Sequence, residues 1–181
     1  LHTAYRRQRQ MCIRDRLYVP AEAAEHLWNL LMEAGGDDLT PCGLACRDTL
    51  RLEAGMPLYG HELGTDIHPS QVGLGRVVNF KKEGDFVGRS ALENRETTDD
   101  RVLVGLAGEG RRAARAGYAV MNEGKEVGSI TSGILSPTLG HPIAMAFVDP
   151  GAAAVGTSLS VDVRGKALDV TVVELPFYKR S

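Results

Sequence analysis

Arg47 and Arg51 stand four residues apart in the run CGLACRDTLRLEAGMPLYG, residues 42–60. The run reads as a short helix that Gly55 caps in a left-handed conformation and Pro57 prevents from continuing. Two guanidinium groups at this spacing are neighbours on one helix face, and the pair is mildly destabilising unless carboxylates or a bound anion compensate it. Asp48 lies three residues from Arg51 and can reach it. Arg47 has no such local partner. A planar, always-charged fork of donors suits recognition of a polar ring or a carboxylate. The residues alone leave two readings of Arg47 open: it holds a ligand, or it pairs with a carboxylate from another element.

Other candidate chemistry is weaker. Gly108-Glu109-Gly110-Arg111-Arg112-Ala113 satisfies the GxGxxA pattern of dinucleotide-binding turns and follows a strand pattern. A hairpin pattern comes next where a long helix should open, and Ile130 stands near the place of the ribose-binding acid, so the segment reads as a polar connection. His61, His68 and His141 are scattered beside Gly or Pro, with no nucleophile elbow and no HExxH pair, which supports neither a triad nor a zinc site. Cys12, Cys42 and Cys46 are too few for a disulfide framework, and no second Cys or His pair follows at finger spacing. Thr131 to Thr138, TSGILSPT, concentrates hydroxyls between two strands, as turn chemistry or as a cavity-facing loop.

The elements that would position these groups form an α+β pattern. Leu17 to Pro20 reads as a strand. A helix follows over Ala21 to Ala34, with Ala24, Leu27, Trp28, Leu31 and Ala34 as a core stripe. The arginine helix comes next, then a strand at Arg76 to Phe80 and a short helix at Gly88 to Glu93. From Arg101 the pattern changes to short strands: Val102, Val104 and Leu106 alternate, Gly117 to Met121 and Lys125 to Thr131 flank the turn Asn122-Glu123-Gly124, and Ile143 to Val148 is a buried strand. Leu159, Val161 and Val163 face Leu168, Val170 and Val172 across Arg164-Gly165-Lys166. Such spacing predicts a small antiparallel barrel.

Length and composition are those of a globular chain: 181 residues, 43% hydrophobic, formal net charge -2. That balance offers no general attraction to nucleic acid, and no run has the apolar length of a membrane span. The cysteine usage and the lack of a secretory pattern lead us to expect a cytoplasmic protein, or a mitochondrial one if the source is eukaryotic.

ACRDTLRLEAGMPLYGHEL resembles, nearly residue for residue, the signature of the glycine cleavage system T protein family of tetrahydrofolate-dependent aminomethyltransferases. The resemblance continues in order through GLGRVVNFKKEGDFVGRSAL, GSITSGILSPTLGHPIAMAFV and VDVRGKALDVTVVELPFYKR. It implies a partial ferredoxin-like α+β subdomain within a folate-binding region over residues 17–98, then a C-terminal β-barrel domain over residues 99–181. Residues 1–16 match nothing in the family and read as an extraneous leader. By the same resemblance Arg47 contacts folate, Met56 and Tyr59 wall the site, Tyr178 contacts substrate, and the TSG-SP segment faces the cavity. Arg16 falls where the family places an acidic pterin contact. The implied reaction passes a one-carbon unit from the lipoyl-bearing H protein of the glycine cleavage system to tetrahydrofolate, with release of ammonia.

The matched stretch, Leu17 to Arg180, corresponds to roughly the C-terminal half of a family member. The family's catalytic aspartate lies in the other half, so no catalytic residue is named here and the chain by itself is expected to be inactive. The same architecture serves sarcosine and dimethylglycine dehydrogenases and iron-sulfur assembly accessory proteins. A preceding flavin domain would mark the former, and a cysteine-glycine-glutamine signature, which this sequence lacks, the latter. If residues 94–100 are an inter-domain boundary, limited proteolysis should cut there first. Early cleavage inside Ala21 to Ala34 or Val161 to Val172, with 94–100 protected, would contradict the two-domain division.

Overall fold

The computed structural model describes residues 17–94 and 100–179. Arg16, the leader and residues 95–99 of the expected boundary lie outside the described residues. The chain divides into two compact units, one ending at Cys42 and one spanning Gly43–Ser181.

In the first unit a 3-10 turn, Ala21–Ala23, runs into α1, Ala24–Gly35, and a second turn, Gly36–Asp38, follows. Pro20 precedes the first helical residue, a position where its missing N–H costs nothing. The expected stripe is present as a pattern but is not core. Trp28 is 55% exposed and Leu31 41%. An amphipathic face is buried only when another element covers it, and within the described residues of this unit none does. The expected strand at Leu17 to Pro20 is likewise absent, because a strand forms only against a partner and no ladder includes these residues.

The second unit opens with α2, Leu44–Glu53, and ends in a closed six-stranded barrel. Between them lie 3-10 turns at Pro69–Val72 and Gly75–Val77 and the short helix α3, Arg89–Asn94. The strand expected at Arg76 to Phe80 is instead the second of these turns and irregular chain. A closed barrel has no free edge to pair with it, and Val77 stays 76% exposed. Arg89 organises this stretch. Its guanidinium donates to the carbonyls of Phe80 and Gly84 at 2.9 Å, pairs with Glu93 at 2.8 Å and lies 5.7 Å from the Phe86 ring centre.

The barrel strands are β1 Val102–Gly108, β2 Ala119–Asn122, β3 Lys125–Leu135, β4 Pro142–Val148, β5 Ser158–Asp162 and β6 Ala167–Val173, ordered β1-β4-β3-β2-β5-β6. All neighbours are antiparallel. Both expected hairpins form. Their two-residue turns, Glu123-Gly124 and Arg164-Gly165, have positive φ at both positions, which matches the right-handed twist of the strands and explains a glycine second in each. Alternation sends Val104, Leu106, Val120, Leu159, Val161, Val170 and Val172 inward to one core.

β4 is apolar on both faces because it is covered on both. Ala144, Ala146 and Val148 fill the barrel, while Ile143 and Met145 face outward and meet Leu52 of α2 in a second cluster. The chain end returns over this cluster, with Leu175 and Phe177 packed on it and Tyr178 N–H bonded to Glu53 O at 2.9 Å. α2 stops in a Schellman arrangement: Met56 N–H reaches Arg51 O at 2.8 Å, Gly55 N–H reaches Leu52 O at 2.9 Å, and Gly55 has φ +65°. A Cβ at Gly55 would also press on Pro176 Cα at 3.1 Å. Leu52, fully buried, is the apolar link between α2 and the barrel. Leu52→Ala should therefore cost about 2–5 kcal/mol in urea unfolding of the barrel unit; a loss under about 1 kcal/mol would mean that α2 is not held by this cluster.

Candidate functional site

α2 turns one side to the barrel and the other to solvent. Leu52 points inward, and Arg51 and Glu53, one residue to either side, are buried along its flanks. Leu50 lies on the side away from Leu52, and Arg47 lies one turn before Arg51 toward the helix start; both are exposed. The two arginines of the sequence motif therefore meet different environments.

Arg51 is 8% exposed and fully engaged. Its Nε donates to Asp48 Oδ1 at 2.7 Å, as the three-residue spacing predicts. Its Nη1 donates to Glu62 Oε2 at 2.9 Å and to Met56 O at 3.4 Å, and its Nη2 donates to Ser132 Oγ at 2.7 Å. Ser132 in turn donates to Glu62 Oε1 at 2.6 Å, and Leu58 N–H donates to Glu62 Oε2 at 2.9 Å. Glu62 has no solvent exposure. A buried charge is tolerable only when paired and hydrogen-bonded in this manner.

Ser132 reaches this network through a bulge. Ile130 pairs with Ala146 and points into the barrel, while the register shift before Ser132 pairs it with Met145, whose side chain faces α2. The extra residue, Thr131, reverses the face on which Ser132 lies. Its freed groups are used: Thr131 Oγ1 donates to Met145 O at 3.1 Å, and Thr131 O accepts from His61 Nδ1 at 3.1 Å. A parallel arrangement fixes the far end of α2. Glu53 accepts from the hydroxyl of Ser136, from Thr138 N–H at 3.2 Å and from Thr138 Oγ1 at 2.8 Å.

The hydroxyls of the TSG-SP segment thus serve the fold. They were expected to face a cavity; Ser132 and Ser136 are buried instead, committed to Glu62 and Glu53. Glu53, Glu62 and their serine partners are the residues that sequence reasoning missed, since only tertiary structure brings them together. The histidines have structural partners too. His68 caps the turn at Pro69–Val72 in a capping box with Gln71, and His141, half-buried, lies beside Pro142 O at 3.2 Å. Gly108 to Ala113 runs from β1 into irregular chain with no helix, as its context predicts.

Arg47 has no hydrogen bond or ion pair among the described residues. Around the exposed side of α2 and its following loop, Leu44 is 85% exposed, Leu50 54%, Met56 42% and Tyr59 72%. Tyr178 is 44% exposed, with its backbone fixed to the last residue of α2. Among the described residues no group of His, Cys, Asp and Glu is placed to hold a metal ion, and no helix is long and apolar enough to cross a membrane.

Comparison with known proteins decides the family. Residues 16–82 match the model of the GCVT N-terminal domain, and residues 101–179 match that of the glycine cleavage T-protein C-terminal barrel domain. The chain belongs to the glycine cleavage T-protein family. It is 87% identical over 165 residues to an aminomethyltransferase of Cutibacterium acnes, covering 91% of this chain and 44% of that protein. One from Streptomyces avermitilis is 59% identical over 171 residues, 91% of this chain and 46% of the relative. The crystal structure of glycine cleavage system aminomethyltransferase T from Bartonella henselae superposes with a TM-score of 0.76 at 34% identity, covering 88% of this chain and 45% of that one. The chain thus spans somewhat under half the length of the relatives it matches.

The contrast between the arginines is measurable as stability. Arg51→Ala leaves Glu62 buried without its counter-charge and should cost about 3–5 kcal/mol in chemical denaturation. Arg47→Ala, with no partner to strand, should stay within about 0.5 kcal/mol of the parent. Equal losses for both would show that Arg47 has a structural partner.

Proposed function

We propose that this chain supplies the C-terminal part of a tetrahydrofolate-dependent aminomethyltransferase, residues 17–98 contributing to the folate-binding region and residues 99–181 forming the barrel domain. The reaction takes the methylene carbon from an aminomethylated dihydrolipoyl arm on the H protein. The carbon–sulfur and carbon–nitrogen bonds break, two carbon–nitrogen bonds form to tetrahydrofolate, and the products are methylene-tetrahydrofolate, the dihydrolipoyl thiol and ammonia. Such a site must hold the folate nitrogen against the carbon and exclude bulk water, which would otherwise take the carbon. We assign the chain to the cytoplasm of a bacterial cell. The dehydrogenase and accessory-protein alternatives are not favoured, because the similar proteins are named aminomethyltransferases.

The observation that carries the site assignment is Arg47: an exposed guanidinium without a partner among the described residues, one helical turn from an arginine whose three guanidinium nitrogens are all hydrogen-bonded. In this reading Arg47 binds a polar or carboxylate group of the folate, with Met56 and Tyr59 as walls and Tyr178 at the margin. Titrating the chain with tetrahydrofolate in a calorimeter tests it. Arg47→Ala should lose about 2–3 kcal/mol of binding, about thirty- to a hundredfold in affinity, with the fold intact. Equal affinity for parent and variant overturns the assignment.

A further inference from the structure

The buried carboxylate of Glu62 touches none of the exposed residues assigned to the ligand, yet it joins the segments that carry them. Oε2 accepts from Arg51 on α2, the helix of Arg47, and from Leu58 N–H in the loop that displays Met56 and Tyr59. Oε1 accepts from Ser132 of β3. The loop closes around this group. Leu58 O accepts from the N–H groups of His61, Glu62 and Leu63 at 3.1, 2.9 and 3.2 Å, and Gly60 N–H donates to Leu63 O at 2.8 Å. Helix, loop and barrel strand thus meet at one carboxylate.

We infer that Glu62 is a positioning residue for ligand binding: it sets the loop of Met56 and Tyr59 against the helix of Arg47, so that the surface is formed before the ligand arrives. The inference rests on the folate reading above. Pre-formed geometry matters because ordering a loop at the moment of binding subtracts directly from affinity. Reach and charge have separate roles in this account. Charge neutralises Arg51 and serves stability, whereas reach holds Leu58 and Ser132 at once and serves binding.

Two substitutions separate them. Glu62→Asp keeps the charge but withdraws the carboxylate by one methylene, so it cannot hold Leu58 N–H and Ser132 together. Glu62→Gln keeps the reach and a carbonyl acceptor but leaves Arg51 with Asp48 as its only carboxylate. Calorimetric titration of the chain with tetrahydrofolate, expressed per folded molecule, should show Glu62→Asp weakened about tenfold or more and Glu62→Gln within about threefold of the parent. Thermal unfolding should show the reverse order, with Glu62→Gln the less stable. Val148→Ala, which hollows the barrel core away from this network, serves as a destabilised control and should bind like the parent.

If Glu62→Asp binds as tightly as the parent while Arg47→Ala binds weakly, the positioning role is overturned and the site reading stands. If Arg47→Ala binds like the parent, or the parent does not bind tetrahydrofolate, the reading and the inference fall together. Should Glu62→Asp not fold, Ser132→Ala provides the second test: it removes the serine tether from Oε1, and an unchanged affinity there also overturns the inference.

Discussion

The barrel unit is organised around one buried ion pair, Arg51 with Glu62, and around the need to complete its hydrogen bonds. Removing two charges from water costs several kcal/mol per ion, and their attraction repays this only when the remaining donors and acceptors are matched. Here they are matched by Asp48, Ser132, Leu58 N–H and Met56 O. Such a network is poor evidence of extra stability compared with an apolar core of the same shape. Its role is geometric: it ties α2, the following loop and β3 together at one carboxylate.

Several local features follow from that requirement. The bulge at Thr131 brings Ser132 to the outer face of β3. The Schellman end of α2 lets the chain leave the helix at Gly55 and turn within seven residues so that Glu62 meets Arg51 again. The apolar outer face of β4 gives Leu52 a place to pack, and Glu53 with Ser136 and Thr138 fastens the helix end. With the inner side of α2 consumed in this way, its outer side is free to carry Arg47. The fold thereby presents an arginine that no carboxylate among the described residues neutralises.

The barrel was legible in the sequence because its signals are local. Alternating valines, X-Gly turns at Glu123-Gly124 and Arg164-Gly165, and the apolar run at Ile143 to Val148 report strand and turn chemistry within a few residues. Asp48 reaching Arg51 was legible for the same reason. The misreadings lie where structure depends on a distant partner. Arg76 to Phe80 has strand-like residues, but a closed barrel offers it no edge. The stripe of α1 has the right period, but nothing among the described residues of its unit covers it. Ser132 and Ser136 read as polar groups available to a ligand, and only the positions of Glu62 and Glu53, some seventy and eighty-three residues away in sequence, show that they are already committed.

The central claim is a division of labour between two arginines one turn apart, one for the fold and one for the ligand. Nuclear magnetic resonance of the arginine Nε–Hε groups tests it without any substitution to the protein. On addition of tetrahydrofolate the Arg47 resonance should shift progressively to saturation while the Arg51 resonance, locked between Asp48, Glu62 and Ser132, stays in place. A shift at Arg51 with none at Arg47 would contradict the account.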